Sequence, residues 1–256
     1  MTSYAIVGGG RLARHFSEYF RLLGIPQTRW TRNPRSAFNS FTIPDARLRL
    51  KATVREADRV LLLVADGSIV TVLRQYPFLH EKQLIHCSGS LSVPGVAGAH
   101  PLMTFAGQLY PLETYRRIPF VLEAGASFRS LFPDLKNPHF AIGAGDKGRY
   151  HAMCVMAGNF PQLLWKSISD RFEQDLGLPA GILHPYLHQV AENFIASPNS
   201  ALTGPLARND EKTVERNLNA LGDDPLEDLY AAFMRFYQDE KNRILQPERI
   251  QQEHAK

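Results

Sequence analysis

An apolar run that ends in glycines and turns directly into an amphipathic segment opens the chain, YAIVGGGRLARHF. Tyr4 to Val7 reads as a buried strand. Leu12, Phe16, Tyr19, Phe20 and Leu23 then recur at helical spacing. Between them stands the pattern G-x-G-x-x-A, made by Gly8, Gly10 and Ala13, with Gly9, Arg11 and Leu12 completing the turn. Gly8 permits a tight strand-to-helix bend, Gly10 lets a ligand approach the backbone, and Ala13 lets helix and strand pack closely. The free N–H groups and partial positive charge at the helix start suit a diphosphate. Gly24 and Pro26 stop the helix, and a second strand ends near Trp30. Strand, glycine turn, helix and strand within about 30 residues form a βαβ unit, the opening of a doubly wound, mostly parallel sheet.

The end of that second strand indicates which dinucleotide the turn serves. NAD sites usually place Asp or Glu about twenty residues past the glycines, against the ribose 2′-hydroxyl. This chain reads Arg29, Trp30, Thr31, Arg32, Asn33, with no acid. A carboxylate there would repel a 2′-phosphate, whereas a guanidinium and a hydroxyl would hold one. The segment therefore favours NADP, with Thr31 and Arg32 as contacts. Solvated surface charge competes with that reading, more for Arg29 than for Arg32.

Composition removes other classes. The formal net charge is +4 and the basic residues are scattered rather than gathered in a stripe, so nucleic acid is not the natural partner. No stretch is long and apolar enough to span a bilayer, and the N-terminus lacks the pattern of a signal peptide. Cys87 and Cys154 are the two cysteines and form neither a disulfide framework nor a zinc pattern. His184 and His188 have i, i+4 spacing, but no third ligand accompanies them, so no metal site is expected. A cytoplasmic, soluble protein is expected.

Further strands are read at Arg59–Ala65, Leu84–Cys87, Arg117–Leu122 and Phe140–Ile142. Asp66, Gly67 and Ser68 can cap a helix after the first of these. Ligands of such sheets bind outside the carboxyl ends of the strands, so Gly8, Thr31, Asp66 and Ser88 should line one crevice, and Ala65 beside Asp66 is a further candidate cofactor contact. From about Asp146 the pattern turns helical, at roughly 146–168, 179–196, 210–221 and 225–241. This divides the chain into a dinucleotide-binding domain, 1–145, and an all-helical domain, 146–256. The first of these helices places His151, Val155, Asn159, Gln162 and Lys166 on one stripe, with Met153, Met156, Phe160 and Leu164 broadly opposite. Pro161 should kink it.

Four segments together resemble a bacterial family of Rossmann-like proteins with a C-terminal helical domain of unknown function. They are GGGRLA with WTRN, HCSGS with AHPLMTF, RYHAMCVMAGN, and ALTGPLARNDEKTVERNL. That family is related to NADP-dependent oxidoreductases such as pyrroline-carboxylate reductases and deazaflavin-dependent NADP reductases. The resemblance implies a helical second domain that dimerises, but no substrate. Two departures stand out. Asn209 replaces the family's glycine between Arg208 and Asp210, a position that Asn tolerates through its ease at positive φ. The stretch from Ser90 to His100 is short.

A nicotinamide reductase needs a held cofactor, a proton donor and groups that orient the substrate. His100 and His151 are the acid–base candidates, because an unperturbed imidazole titrates near neutral pH. Asn159 could hydrogen-bond a carbonyl, imine or carboxylate. Ser90, Gln162, Lys166, Thr203 and Arg208 are candidate substrate contacts. Asp210, followed by Glu211 and Thr213, reads as an N-cap. The resulting expectation is an NADP-dependent oxidoreductase that moves hydride to or from a small, anionic carbonyl or imine compound, working as a homodimer. The alternative is a non-catalytic NADP-binding regulator.

Overall fold

A computed structural model describes residues 1–32 and 45–245. Asn33 of the WTRN segment therefore lies outside the described residues. One seven-stranded sheet organises the first part of the chain. Its strands are β1 Tyr4–Val7, β2 Gln27–Trp30, β3 Arg59–Leu62, β4 Gln83–His86, β5 Ala97–Pro101, β6 Phe120–Glu123 and β7 His139–Ile142. They lie in the order β2-β1-β3-β4-β5-β6-β7. β1 to β5 are mutually parallel, β6 runs antiparallel to β5, and β7 is parallel to β6. Val7 is level with both Trp30 and Leu62, and Leu62 with His86, so the carboxyl ends of the first four strands form one edge. The chain leaves β1 toward β2 on one side and comes back to β3 on the other. That reversal is the switch point where open sheets of this class bind ligands.

Helices α1 Arg11–Leu23, α2 Ala46–Arg55, α3 Asp66–Gln75, α4 Leu112–Arg117 and α5 Phe128–Leu131 connect these strands. All four residues of β1 are buried, as a parallel strand covered on both faces requires. Tyr4 and Ile6 pack with Ala13, Phe16, Tyr19 and Phe20 of α1. Ala5 and Val7 point the other way, to Leu50 and Val54 of α2 and to Ile69 and Val72 of α3. One strand thus divides two cores by its period of two. Asn137 closes the first core with polar bonds. Its amide donates to the Tyr115 and Ile118 carbonyls at 2.7 and 2.9 Å, and its oxygen accepts from the Tyr19 hydroxyl at 2.7 Å.

Three local readings change. The apolar run at Arg59 is a strand only to Leu62, because the chain turns over the glycine loop beyond it. Asp66 is not a cap: Ala65 occupies that position and Asp66 stands in the first turn of α3, with its carboxylate near the helix start. Arg117 ends a helix rather than beginning a strand.

The chain divides into two compact units, Met1–Trp165 and Lys166–Lys256. The later helices are α6 Lys147–Gln174, α7 His184–Ala196, α8 Gly204–Ala207, α9 Glu211–Leu221 and α10 Leu226–Leu245. α6 continues through Pro161. Asp210 is the N-cap of α9, its carboxylate accepting from the Thr213 N–H at 3.1 Å and the Thr213 hydroxyl at 2.8 Å. Asn209 has φ of 54°, so the turn survives without glycine as the sequence indicates. Within the second unit Arg171 grips Asp224 through two bonds of 2.7 and 2.8 Å. No residue of α7, α8 or α9 is buried. No helix among the described residues is long and apolar enough to cross a membrane.

Candidate active site

The glycine turn is built by close approach of β1 and β3. Gly8 has φ of 155°, and a Cβ added to it would overlap the Leu63 carbonyl. The turn is tied on both sides, because the Gly8 N–H donates to the Trp30 carbonyl at 2.9 Å and the Leu63 N–H to the Val7 carbonyl at 2.8 Å. Gly10 is the N-cap of α1 and has no side-chain cap, and nothing lies within 4 Å of where its Cβ would be. Gly9, Gly10 and Arg11 are exposed, Leu12 is half-buried and Ala13 is fully buried. The orphan N–H groups of α1 therefore face open space, which is what a diphosphate needs.

Thr31 lies beside this turn, its methyl 3.3 Å from the place of a Gly9 Cβ. Arg32 is exposed, and its carbonyl accepts from the Arg49 guanidinium at 3.2 Å. Arg29, which the sequence leaves as the weaker candidate, reaches back so that its Nε donates to the Gly8 carbonyl at 3.2 Å. Burial and the neighbouring Arg14 charge both lower the hold of Arg29 on its proton. The Arg29 guanidinium therefore stands beside the glycine turn, within reach of the Arg14 charge.

At the end of β4 the Ser88 hydroxyl donates to Asp66 at 2.6 Å and accepts the N–H groups of Ser90 and Leu91 at 3.3 and 3.1 Å. The Ser90 hydroxyl also reaches Asp66, at 3.3 Å. Ser88 and Ser90 are thereby committed to closing this turn. Ala65, Asp66, Ser88, Gly8 and Thr31 all follow the carboxyl ends of adjacent strands.

His100 ends in the same neighbourhood. Its Nδ1 is 2.8 Å from the Tyr150 hydroxyl, and its ring centroid lies 5.8 Å from that of His151 in a nearly perpendicular pairing. Both imidazoles press on Gly89. A Cβ there would lie 2.5 Å from His151 Nδ1 and 3.2 Å from His100 Nε2. His151 Nδ1 is buried with no hydrogen-bond partner. Burial, then the His151 and Lys147 charges, push His100 down to about 4, against the opposing pull of Asp66. His100 is consequently an uncharged imidazole at neutral pH rather than a ready acid. Burial also raises the Tyr150 phenol, and Cys154 adds to that effect.

These groups open into one cavity of about 810 Å³. His100, Tyr150, His151, Cys154, Asn159 and Gln162 line it together with Arg11 from the start of α1. Leu102, Met103, Thr104 and Phe105 form another wall. That wall is anchored: the Leu102 N–H donates to the Pro119 carbonyl at 2.9 Å, and the buried His15 holds the Ala106 carbonyl at 3.0 Å and the Tyr115 hydroxyl at 2.9 Å. His100, His151 and Asn159 thus line one cavity. Lys166, Thr203 and Arg208 belong to the second unit. Lys166 is paired with Asp170 on its own helix, and Thr203 is the N-cap of α8.

Tyr150 escapes the sequence reading, although it directly precedes His151. So does a buried group below the site. Lys147, 5% exposed, bonds Glu123 at 2.8 Å, and the other Glu123 oxygen accepts from the Ser92 hydroxyl at 2.7 Å. His86 is fully buried beside them.

Residues 119–235 match a family described as a domain of unknown function (DUF2520). The matched region holds the Tyr150–Asn159 and Thr203–Asp210 segments but not the glycine turn. Among solved structures, the candidate NADP oxidoreductase BF3122 of Bacteroides fragilis is 20% identical, with TM-score 0.72 over 93% of this chain and 98% of that one. Protein TM1727 of Thermotoga maritima is 27% identical, with TM-score 0.65 over 94% and 99%. An imine reductase of Myxococcus stipitatus in complex with NADP⁺ is 12% identical, with TM-score 0.59 over 94% of each chain. No curated protein matches the chain. The protein is a Rossmann-like α/β protein with a helical C-terminal part. It resembles the bacterial proteins of that architecture that carry a helical domain of unknown function and are related to pyrroline-carboxylate reductases.

Proposed function

We propose that the protein is an NADP-dependent oxidoreductase that exchanges hydride with a small, anionic carbonyl or imine compound in the cytoplasm. The observation that carries this reading is a shared cavity. Arg11, the first helical residue after the glycine turn, lines the same space as His100, Tyr150, His151 and Asn159. A module that only bound a nucleotide would have no use for that convergence.

Gly8 to Ala13 would hold the diphosphate on the open start of α1. Thr31 and Arg32, joined by Arg29 and Arg14, would face the 2′-phosphate, and Ala65, Asp66 and Ser88 would bound the crevice beyond it. The bound nicotinamide would supply or accept the hydride. Asn159 and Gln162 would orient the polar end of the substrate, and Arg11 would favour an anionic one. None of the residues lining the cavity is acidic. The proton would travel through the Tyr150–His100 pair, with His151 beside it. The protonated imidazole is scarce here, so the hydroxyl and the neutral ring share the work rather than His100 acting as a free acid.

A homodimer belongs to the same reading. Met153, Met156, Phe160 and Leu163 of α6 and Tyr186, Phe194 and Ile195 of α7 are all more than half exposed in the single chain. Apolar side chains exposed to that extent on a helix of each unit mark association surfaces, taken unit by unit. Thr203 and Arg208 remain candidate substrate contacts.

The test is titration of the purified protein with NADPH and with NADH, followed by nicotinamide fluorescence. Tight NADPH and weak NADH binding support the assignment, and Arg32→Asp should then weaken NADPH far more than NADH. If neither nucleotide binds, the oxidoreductase reading falls.

A further inference from the structure

Below the cavity lies a buried charge that nothing in the proposed reaction touches. Gly98 and His100 are two residues apart on β5, so they share a face of the strand. Lys147 precedes Tyr150 and His151 by three and four residues on α6, so these three share a face of the helix. The two elements meet as a ladder of two rungs. On the upper rung His100 meets Tyr150 and His151. On the lower rung a Gly98 Cβ would lie 2.7 Å from both Lys147 Nζ and Glu123 Oε1, and 3.3 Å from His86 Cε1. Glycine is the residue that leaves room for this pair.

His86 completes the lower rung. Its Nδ1 accepts the Ser88 N–H at 3.2 Å, so the ring proton belongs on Nε2, which is buried without a partner. A second proton would have to go on Nδ1, displacing the Ser88 N–H and placing a cation near a buried ammonium. Burial and Lys147 together push His86 down to about 4, against Glu123 and Asp66.

We propose that Lys147 is a positioning residue whose buried ammonium, one rung from the site, acts with burial and His151 to favour the neutral Tyr150–His100 hydrogen bond. Its role in catalysis rests on the oxidoreductase reading above, whereas its effect on His100 does not. Among the described residues, the charged and titratable groups facing His100 are His151, Tyr150, Cys154 and Lys147 from α6, Asp66 from α3 and Arg11 from α1, with Glu123 of β6 and His86 of β4 behind Lys147. Asp66 favours the protonated ring, and Lys147 and His151 oppose it. Removing Lys147 should therefore let His100 bind its proton more readily.

The experiment is a histidine ¹³Cε1 NMR titration of the full chain without nucleotide, with His100 assigned from a His100→Gln spectrum. Lys147→Gln should raise the His100 midpoint above its starting value of about 4, while burial and His151 still hold it below the ordinary 6.5. A shift of half a pH unit, about threefold in proton affinity, is the smallest that supports the proposal. Lys147→Arg should leave the midpoint in place. Glu123→Gln removes the carboxylate but keeps the ammonium, so it should leave the midpoint unchanged or lower it. The double variant Lys147→Met with Glu123→Met removes both charges without stranding either, and should raise the midpoint as Lys147→Gln does. Loosening of the fold alone would raise it in every variant. A rise in all of them, or in none, overturns the proposal. Where NADPH-dependent turnover is found, the acid limb of kcat should move up in pH in Lys147→Gln and stay in Lys147→Arg. Absence of turnover in every protein would remove the oxidoreductase reading and leave the titration result standing.

Discussion

Gly8 and Gly10 stand two residues apart in one motif, yet their replacement by alanine should produce opposite phenotypes. At Gly8 the new methyl meets the Leu63 carbonyl, a backbone atom that cannot swing aside, and φ of 155° is foreign to alanine. Overpacking of this kind costs about 1–3 kcal/mol, and the backbone strain about 1–3 kcal/mol more. Their sum is a large part of a stability that is typically about 5–15 kcal/mol. Each kcal/mol lowers Tm by roughly 2–4 °C in a domain of this size, so Gly8→Ala should melt about 4–24 °C below the parent. At Gly10 the backbone is ordinary, with φ of −75°, and nothing lies within 4 Å of the new methyl. Alanine is a poorer N-cap than glycine, which costs up to about 1 kcal/mol. The methyl would nonetheless stand where a diphosphate must approach the backbone. Gly10→Ala should therefore keep its Tm within a few degrees and lose about tenfold or more in NADPH affinity. Thermal unfolding and fluorescence titration of both variants decide the matter. A Gly8→Ala protein that melts with the parent, or a Gly10→Ala protein that binds NADPH as the parent does, would refute this account of the turn.

Other consequences are as concrete. Arg29→Ala should weaken NADPH by about 10- to 100-fold, the worth of a charge-assisted bond, and NADH far less, as a paired titration would register. Asn137→Ala takes the amide partner from the Ile118 carbonyl and the Tyr19 hydroxyl, while the Tyr115 carbonyl keeps the Ile118 N–H, and should cost about 2 kcal/mol or more in chemical denaturation. His86 and His100 have folded values near 4, below the unfolded 6.5, so the unfolded chain binds more protons between those limits. Stability is thus complete above 6.5 and falls as pH drops toward 4, by roughly 1.4 kcal/mol per histidine for each pH unit, and a denaturation series from pH 7 to 4 measures it. Sedimentation at micromolar concentration should find a dimer, and Phe160→Asp together with Phe194→Asp should give a monomer. A monomeric parent would remove the dimer.

The glycine turn and the two-sided sheet are legible in the sequence because both are local. Gly8, Ala13 and the alternation of β1 express themselves within a dozen residues. α2 is not legible, because ARLRLKATVR buries only Leu50 and Val54 and is otherwise basic. The histidine site is half visible. His100, His151 and Asn159 stand out by type and spacing, but Tyr150 gains meaning only when β5 lies against α6. The Lys147–Glu123–His86 group comes from α6, β6 and β4 and follows no short motif. Its one sequence trace is an acid closing an apolar strand, at Glu123 in FVLE, where a surface turn would be the ordinary explanation. Arg29 is undervalued for a related reason, since its reach back to Gly8 depends on how β2 pairs with β1.

The wall at Leu102–Phe105 is fixed at both ends, by the Pro119 carbonyl on one side and by His15 on the other. Its order is settled when the chain folds, so on the proposed function a substrate would meet a preformed surface there and lose little affinity to loop ordering. Shape on that side would act as a gauge: a misfitting group is rejected by contact, not accommodated by movement. Variety among substrates should therefore be found in the groups that turn toward α6, while the part facing Leu102 and Phe105 stays nearly constant.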